Sequence, residues 1–220
     1  MQNKEAIIIG ATGLVGSHLL QRALDDARFS AVTLLGRRHC GREHPKLTEH
    51  LVDFSAPGDW EHLVQGDVLF LCLGTTRAKA GGKKAQYLVD HTYQFRVAEA
   101  AAKNGVHSLL LVSSAGARLN SPFFYMRMKA ELERDIQALP IRRKVFIRPG
   151  ALTGPRTERR TGEKVGVWLF RTLNRLGILR AHRPIHGDEV ARALINASFA
   201  EEEGVHIHEL QEVFVLSRQG

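Results

Sequence analysis

The sequence contains few cysteines, few aromatic residues and no long apolar run. Of its 220 residues, 2 are Cys and 7% are aromatic. Cys40 and Cys72 are too few for a disulfide framework and form no C-x-x-C pair. No apolar run approaches the roughly 20 residues that a transmembrane helix needs, and residues 6–9 are too short for the core of a signal peptide. We therefore expect a protein of the cytoplasm, with no membrane span and no disulfide framework.

Positive charge exceeds negative charge, but it is not concentrated in one segment. The chain has 31 Lys and Arg against 23 Asp and Glu, which gives a formal net charge of +8. The basic clusters lie apart, at 37–38, 83–84, 142–144 and 159–160, and no nucleic-acid-binding motif accompanies them. We therefore expect no nucleic-acid partner, and we attribute the charge to a solvated surface and to sites for small anions. No spacing of His, Cys, Asp and Glu matches a zinc or iron site, so we also expect no metal.

Short apolar segments alternate with helical patterns along the first 150 residues. The apolar segments are nearly continuous, as in strands of a parallel sheet that is covered on both faces. Joined by right-handed crossovers, this alternation predicts an α/β fold with a doubly wound parallel sheet. The predicted strands are 6–9, 31–35, 49–52, 68–73, 108–113 and 144–148, and the predicted helices are 14–27, 59–64, 84–104 and 122–139.

The pattern changes after Pro149. A loop rich in Gly, Thr and Arg at 153–162 precedes a predicted apolar helix at 164–176, a helix at 188–200 and a last strand at 212–216. This tail is too small to fold alone. We therefore predict a single domain over residues 1–220, in which residues 151–220 contribute a small C-terminal cap on the substrate side.

The strongest motif directly follows the first predicted strand and opens the first predicted helix. Its glycines have the spacing G-x-x-G-x-x-G. Glycine permits a positive φ in a tight strand-to-helix turn and lets the backbone approach a pyrophosphate. The N-terminus of the following helix offers unpaired N–H groups and a partial positive charge to the phosphates. The segment therefore predicts a dinucleotide site formed by Gly10, Thr12, Gly13, Leu14, Val15 and Gly16.

The end of the second predicted strand distinguishes between the two nicotinamide dinucleotides. An acidic side chain about 20 residues past the glycines would bind the ribose hydroxyls of NAD. This sequence has Arg37 and Arg38 there, and a guanidinium suits the 2′-phosphate of NADP. We therefore predict NADP(H) as the cofactor and Arg37 as its ligand; the alternative is that both arginines are surface residues. Asp53, after the third predicted strand, could accept a hydrogen bond from the adenine amino group, or it could simply begin a loop. The adjacent Phe54 is a further candidate.

Several motifs together resemble the short-chain dehydrogenase/reductase superfamily, and the glycine spacing is similar to that of its extended and atypical branches. Residues 72–81 are most similar to the atypical Tat-interacting-protein oxidoreductases. The resemblance implies a Rossmann-type fold and NADPH as the cofactor, and it implies no particular substrate. The motifs that carry it are Gly10–Gly16, Arg37, Asp53, Leu73-Gly74-Thr75-Thr76, Val112-Ser113-Ser114-Ala115, Tyr125-Met126-Arg127-Met128-Lys129 and Arg148-Pro149-Gly150.

The resemblance also implies further cofactor contacts after the fourth and sixth predicted strands. The superfamily brings the ribose and phosphates of its cofactor close to the first of these places, and a turn at the second backs the nicotinamide ring. Lys79, Lys83 and Lys84 could line an approach for an anion, and a mobile, solvated loop explains them equally well. The residues that match the cofactor-binding pattern are Leu73, Gly74, Thr75 and Pro149.

Tyr125 and Lys129 lie four residues apart on a predicted helix and therefore share a face. A phenol has an ordinary pKa of about 10, and a nearby ammonium lowers that pKa, so that the hydroxyl can exchange a proton with a carbonyl oxygen. In the superfamily pattern they match the catalytic Tyr and Lys, and the Lys can also bind the cofactor's ribose. Ser114 best matches the catalytic Ser, with Ser113 possible. The alternative is an amphipathic helix that packs Tyr125 while Lys129 extends to solvent.

These residues predict an NADPH-dependent reductase, a monomer or homodimer, that transfers a hydride to a small carbonyl compound. Tyr125 would be the general acid, Lys129 would lower its pKa, and Ser114 would polarise the substrate. The alternative, from a different class, is an NADP(H)-binding regulatory or sensor protein without turnover.

Overall fold

The computed structural model describes residues 3–154 and 183–219, and a parallel sheet lies at its centre. The strands of these residues are β1 (Lys4–Ile9), β2 (Phe29–Gly36), β3 (Leu47–Leu51), β4 (Val68–Leu71), β5 (Ser108–Val112), β6 (Arg143–Arg148), β7 (Leu152–Thr153), β8 (Ile185–His186) and β9 (Gly204–Glu209). Seven of them form one sheet in the order β3-β2-β1-β4-β5-β6-β9, and β7 pairs with β8. Every pairing between these strands is parallel.

The direction of the strand order changes beside β1. The chain places β2 and β3 successively on one side of β1, and then returns to place β4 on the other side. Ligands of open α/β sheets bind outside the carboxyl ends of the strands at such a switch point. The loops that follow β1, β2 and β4 therefore meet where a ligand is expected.

Helices cover both faces of the sheet, as the alternating pattern predicts. One apolar core packs the first and sixth helices against residues such as Ile8 and Leu34, and a second packs the fourth and fifth helices against Ile7 and Leu69. The fold is therefore the predicted Rossmann-type, doubly wound α/β fold. The helices are α1 (Leu14–Asp25), α2 (Arg77–Ala80), α3 (Lys83–Tyr87), α4 (Tyr93–Lys103), α5 (Phe124–Gln137), α6 (Gly187–Ser198) and α7 (Gln211–Leu216).

Three predicted elements differ from the structure. The predicted helix 84–104 is divided by a turn of π-helix at Leu88–Thr92, and the predicted helix 59–64 is replaced by short 3₁₀ turns. The predicted last strand, 212–216, is wrong, because these residues form α7, which buries Val213 and Phe214 and exposes Val215. A run of four apolar residues does not distinguish a strand from a buried helical turn.

The C-terminal part of the chain contributes to the sheet as well as to its surroundings. In the described part, β9 extends the sheet beside β6 and α6 packs on α1. The predicted helix 164–176 and most of the predicted loop 153–162 lie outside the described residues. The single domain and its substrate-side cap at 151–220 therefore stay predictions. Among the described residues, the helices are too short or too polar to span a bilayer.

Candidate functional site

A cleft of about 170 Å³ opens at the switch point, between the loops that follow β1, β2 and β4. Its position is the one that the fold favours for a dinucleotide. Its floor is the glycine turn, and one side carries the arginines that follow β2. The predicted cofactor-binding residues that line it are Gly10, Thr12, Gly13, Arg37, Phe54, Leu73 and Gly74.

The glycine turn has a shape that larger residues cannot adopt. Gly10 has a φ of +83°, and a Cβ there would lie 2.5 Å from the carbonyl carbon of Cys72. A Cβ on Gly16 would overlap the carbonyl oxygen of Gly10. α1 begins after Gly13, with no side-chain cap and no acidic residue in its first turn. Its first N–H groups are thus available to an anion, and the turn fits the pyrophosphate of a dinucleotide.

Other predicted residues of this motif pack against the rest of the protein. Val15 is buried in the core. Leu14 contacts the backbone of Gly154 and Gly187, where any larger residue would meet its side chain within 3 Å. Three of the predicted residues do not line the cleft: Leu14, Val15 and Gly16. Their contact with a cofactor stays a prediction.

Charged side chains gather at the side of the cleft that β2 and β3 form. Arg37 and Arg38 both line it, and Arg37 is exposed and forms no side-chain hydrogen bond or ion pair within the described residues. Glu49 of β3 also lines the cleft. Its carboxylate lies 2.8 Å from Nδ1 of His39 and accepts a 2.7 Å hydrogen bond from the backbone N–H of Cys40. Burial alone would raise the pKa of Glu49, but these bonds outweigh it and hold that pKa below its ordinary value.

The sequence pattern did not identify Glu49, because β3 is distant from the glycine motif along the chain. The register of β2 and β3 brings Glu49 close to the arginines. Glu49 is opposite Leu34 of β2, and Leu34 lies three residues before Arg37 along the chain. A prediction of the register would have revealed this carboxylate.

Asp53 and Phe54 occupy different environments although they are adjacent. The carboxylate of Asp53 accepts hydrogen bonds from the N–H and hydroxyl of Ser55, which hold its pKa below the ordinary value. It lies outside the cleft lining and begins a loop, so its contact with adenine stays a prediction. Phe54 lines the cleft, is buried and stacks on Tyr93 with ring centroids 5.7 Å apart. Phe54 is only 1% exposed, so its ring is part of the core and its contact with a cofactor stays a prediction.

The loop after β4 closes another side of the cleft. Leu73, Gly74 and Lys79 line it. Thr75 is not among the lining residues. Its N–H donates a 2.6 Å hydrogen bond to Oδ1 of the buried Asp90, which lies in the π-helical turn. Burial raises the pKa of the Cys72 thiol, at the base of this loop, to about 12. The thiol is therefore protonated and apolar at neutral pH.

The three predicted catalytic residues lie at the carboxyl end of β5 and on α5. Lys129 is 2% exposed, and its Nζ donates a 3.0 Å hydrogen bond to the carbonyl oxygen of Val112. Tyr125 lies one helical turn earlier and is 37% exposed. The hydroxyl of Ser114 has a 3.7 Å contact with Sδ of Met126 on the same helix, whereas the hydroxyl of Ser113 is buried and has no partner within the described residues.

A buried ion-pair network ties this region together. Arg148, at the end of β6, donates hydrogen bonds of 3.0 and 2.6 Å to both oxygens of Glu133 on α5. Glu209, at the end of β9, lies 3.3 Å from Arg148 and accepts a hydrogen bond from the N–H of Gly116. The carbonyl of Pro149 accepts a bond from the N–H of Ala115. The loop that carries Ser114 is therefore fixed to β6 and β9. The sequence showed no signal for this network, since its members are far apart along the chain.

Comparison with known proteins identifies the family. A family model described as NAD(P)H-binding matches residues 10–197. The chain belongs to this NAD(P)H-binding family. The match includes the glycine turn, the cleft and the residues of β5 and α5 described above.

Two relatives support the predicted position within the short-chain dehydrogenase/reductase superfamily. "Protein HTATIP2" from Rattus norvegicus is 40% identical over 175 residues, which cover 78% of this chain and 70% of the relative. "Protein FMP52, mitochondrial" from Candida glabrata is 36% identical over 212 residues, which cover 92% of this chain and 88% of the relative. The predicted resemblance to the atypical, Tat-interacting-protein branch of the superfamily is confirmed.

Solved structures confirm the fold. MoeE5 in complex with UDP-glucuronic acid and NAD has a TM-score of 0.73 at 18% identity, over 94% of this chain and 76% of that one. The UDP-N-acetylglucosamine 4-epimerase from Methanobrevibacter ruminantium M1 has a TM-score of 0.71 at 18% identity, and the match covers 98% of this chain and 81% of that one. At this identity the likeness concerns the fold alone.

The predicted cytoplasmic location is wrong. Several relatives, from Candida glabrata, Eremothecium gossypii, Saccharomyces cerevisiae and Aspergillus fumigatus, are named mitochondrial proteins. The prediction used only the shortness of the apolar segments. That observation bears on secretion and on membrane spans, and it does not distinguish one compartment from another inside a cell.

Proposed function

We propose that the protein is an NADP(H)-dependent oxidoreductase that transfers a hydride to a small carbonyl substrate. The observation that carries this proposal is a cleft with a glycine turn and arginines at the switch point, in a chain that also carries Tyr125 and a buried Lys129 one turn apart on α5. The cofactor would bind by its pyrophosphate at Gly10 and Gly13, where a larger residue would fill the cradle. The bound nicotinamide would supply the hydride.

The charges of the cleft favour NADP(H) over NAD(H). Arg37 and Arg38 line it beside one carboxylate, that of Glu49. Both oxygens of Glu49 already have a partner within the protein, His39 for one and the N–H of Cys40 for the other, so a ribose hydroxyl would compete with these bonds. A 2′-phosphate there would gain charge-assisted hydrogen bonds from a guanidinium.

Tyr125 and Lys129 would perform the proton transfer. The Lys129 ammonium is fixed at the carboxyl end of β5 by its bond to Val112, one turn of α5 from the phenol. As the general acid, Tyr125 would give its proton to the carbonyl oxygen of the substrate. Ser114 would donate a hydrogen bond to the same oxygen. The buried hydroxyl of Ser113 is the other candidate for that role.

The test compares the turnover of wild-type protein with that of Tyr125→Phe. Turnover is measured as the oxidation of NADPH in the presence of each of a panel of small aldehydes and ketones. The variant keeps the ring and removes the transferable proton, so turnover should fall by a factor of about 10² or more. The affinity for NADPH, measured by calorimetry, should stay the same. Equal turnover by the variant would contradict the role of Tyr125. Tight NADPH binding without oxidation of any substrate would instead favour the regulatory alternative.

A further inference from the structure

Lys79 differs in position from the other lysines of the loop after β4. By sequence, Lys79, Lys83 and Lys84 are equally able to attract an anion. Of the three, Lys79 lines the cleft. Lys83 lies over the ring of Phe124, with Nζ 5.6 Å from the ring centroid. The structure therefore separates one lysine of this loop from its neighbours.

Lys79 and Arg37 reach the cleft from opposite sides of β1. Arg37 follows β2 and Lys79 follows β4, and these strands are the two neighbours of β1 in the sheet. The glycine turn that follows β1 lies in the same cleft. An anion bound between the two side chains would therefore have a cation on each side.

The backbone around Lys79 is held in a folded turn. Before it, the N–H of Thr75 is bound to the buried Asp90. The hydroxyl of Thr76 accepts a 3.3 Å hydrogen bond from the N–H of Lys79 itself. After it, Gly81 ends α2 with a φ of +86°. Because the segment is fixed at both ends, little backbone ordering is needed to present Lys79 to a ligand.

The charge of a phosphomonoester explains why a further cation is useful there. Such a group carries about −1.5 to −2 charges at neutral pH, and Glu49 places a further negative charge in the same cleft. The guanidiniums of Arg37 and Arg38 offset only part of this total. A third cation, Lys79, would complete the compensation.

We propose that Lys79 is a second ligand of the 2′-phosphate of NADP(H), which it holds together with Arg37. The two residues then set the preference for NADP(H) over NAD(H), because the 2′-phosphate is the group in which the dinucleotides differ. The pyrophosphate, common to both, is left to the glycine turn and to the N-terminus of α1. This inference rests on the proposed function, since it requires NADP(H) to bind in the cleft.

The test is calorimetric titration of wild-type protein, Lys79→Ala, Lys79→Arg and Lys84→Ala with NADPH and with NADH. Lys79→Ala should weaken NADPH binding about tenfold, the loss of one charge-assisted contact, and should leave NADH affinity within about twofold. Lys79→Arg should restore most of the NADPH affinity. Lys84→Ala is the matched control, because Lys84 is also a lysine of the segment after β4 but lies at the start of α3 and outside the cleft lining. This variant should bind both dinucleotides as wild type does.

The outcomes separate this inference from the proposed function. If Lys79→Ala weakened the affinities for NADPH and NADH equally, Lys79 would contact a group that both cofactors share, and its role at the 2′-phosphate would be overturned. Unchanged NADPH affinity in Lys79→Ala, in a protein that prefers NADPH, would also overturn it and leave the proposed function standing. Wild-type protein that bound NADPH no better than NADH would overturn both. Lys79 is exposed, and equal thermal unfolding of the unliganded proteins checks that the variants fold alike.

Discussion

Single residues decide whether a dinucleotide can approach the backbone of this protein. The three glycines of the turn act through what they lack: a Cβ on Gly10 or Gly16 would overlap the backbone of the turn itself or of the neighbouring loop after β4. The arginines contribute positive charge, because both of them line the same cleft. Space and charge therefore select the ligand together.

The Gly16→Ala variant tests the contribution of space. Its new Cβ would overlap the carbonyl oxygen of Gly10, so α1 must move away from the turn. We expect a loss of stability of about 1–3 kcal/mol, as for other overpacked sites, and at least a tenfold weaker affinity for NADPH because the turn is displaced. Urea unfolding and calorimetry measure the two effects.

Gly74→Ala is the control for this variant. Gly74 also lines the cleft, but an added Cβ there meets no heavy atom within 4 Å. Its stability should equal that of the wild type. If the two substitutions destabilised the protein equally, the close approach at Gly16 would not be what requires glycine.

At this scale the sequence predicted the residues whose role follows from local geometry. The glycine spacing and Arg37 belong to short segments whose meaning does not depend on distant parts of the chain. Glu49 could not be recognised in this way, because it reaches the cleft only through the pairing of β3 with β2. Lys79 was indistinguishable from Lys83 until the folded loop placed it in the cleft.

Among the elements, α5 carries the proposed chemistry and therefore must be held firmly on the sheet. Its inner face packs Leu132 and Ile136 into the core. The Arg148–Glu133 pair fixes the same helix to the end of β6, and Arg148 also contacts Glu209 of β9. The pair raises the pKa of Arg148, mainly through the hydrogen bonds that Arg148 donates to Glu133. Tyr125 and Lys129 thus belong to a helix with a fixed position relative to the strand ends.

Removal of Glu133 should destabilise the protein strongly. The side chain of Glu133 is 3% exposed and that of Arg148 is 18% exposed, so Glu133→Ala leaves a largely buried guanidinium without its main partner. We expect a loss of about 3 kcal/mol in the free energy of unfolding. The exposed pair of Lys103 and Glu61 provides the comparison, and Glu61→Ala should cost less than about 1 kcal/mol. Similar losses in urea unfolding would mean that the buried pair has no special role.

The sequence predicted most elements but not the irregular ones. Six strands of the sheet were predicted near their observed positions, because strands buried on both faces are nearly continuous apolar runs. β9 was not among the predicted strands. The alternation of His206 and His208 suggested a strand there, but the segment is weakly apolar and lies at the edge of the sheet. The π-helical turn at Leu88–Thr92 was also missed. A single π-helical turn shifts the apolar spacing by only about one residue, which is too small a change to recognise in a predicted helix of this length, although the turn brings the Asp90 carboxylate to the loop after β4.

At the scale of the whole molecule, the basic clusters lie in separate environments and do not form one positively charged surface within the described residues. The cluster 37–38 lines the cleft. In the cluster 142–144, Arg143 and Lys144 are buried, and their side chains donate hydrogen bonds to backbone carbonyls. The cluster 159–160 lies outside the described residues. The net charge of +8 therefore overstates the cationic surface that the described residues could offer to a polyanion.

This distribution predicts different salt responses for DNA and for NADPH. Nonspecific contacts with DNA phosphates release counterions, so duplex binding should be weak and should disappear by roughly 0.2 M salt. NADPH affinity should fall less over the same range, because backbone N–H groups at the start of α1 hold the pyrophosphate at short range, where salt screens little. Anisotropy titrations of a labelled duplex, run beside calorimetry with NADPH at each salt concentration, make the comparison. Tight, sequence-dependent DNA binding that persisted at that salt would mean that the dispersed clusters form one recognition surface, and the oxidoreductase proposal would then lose its account of the charge.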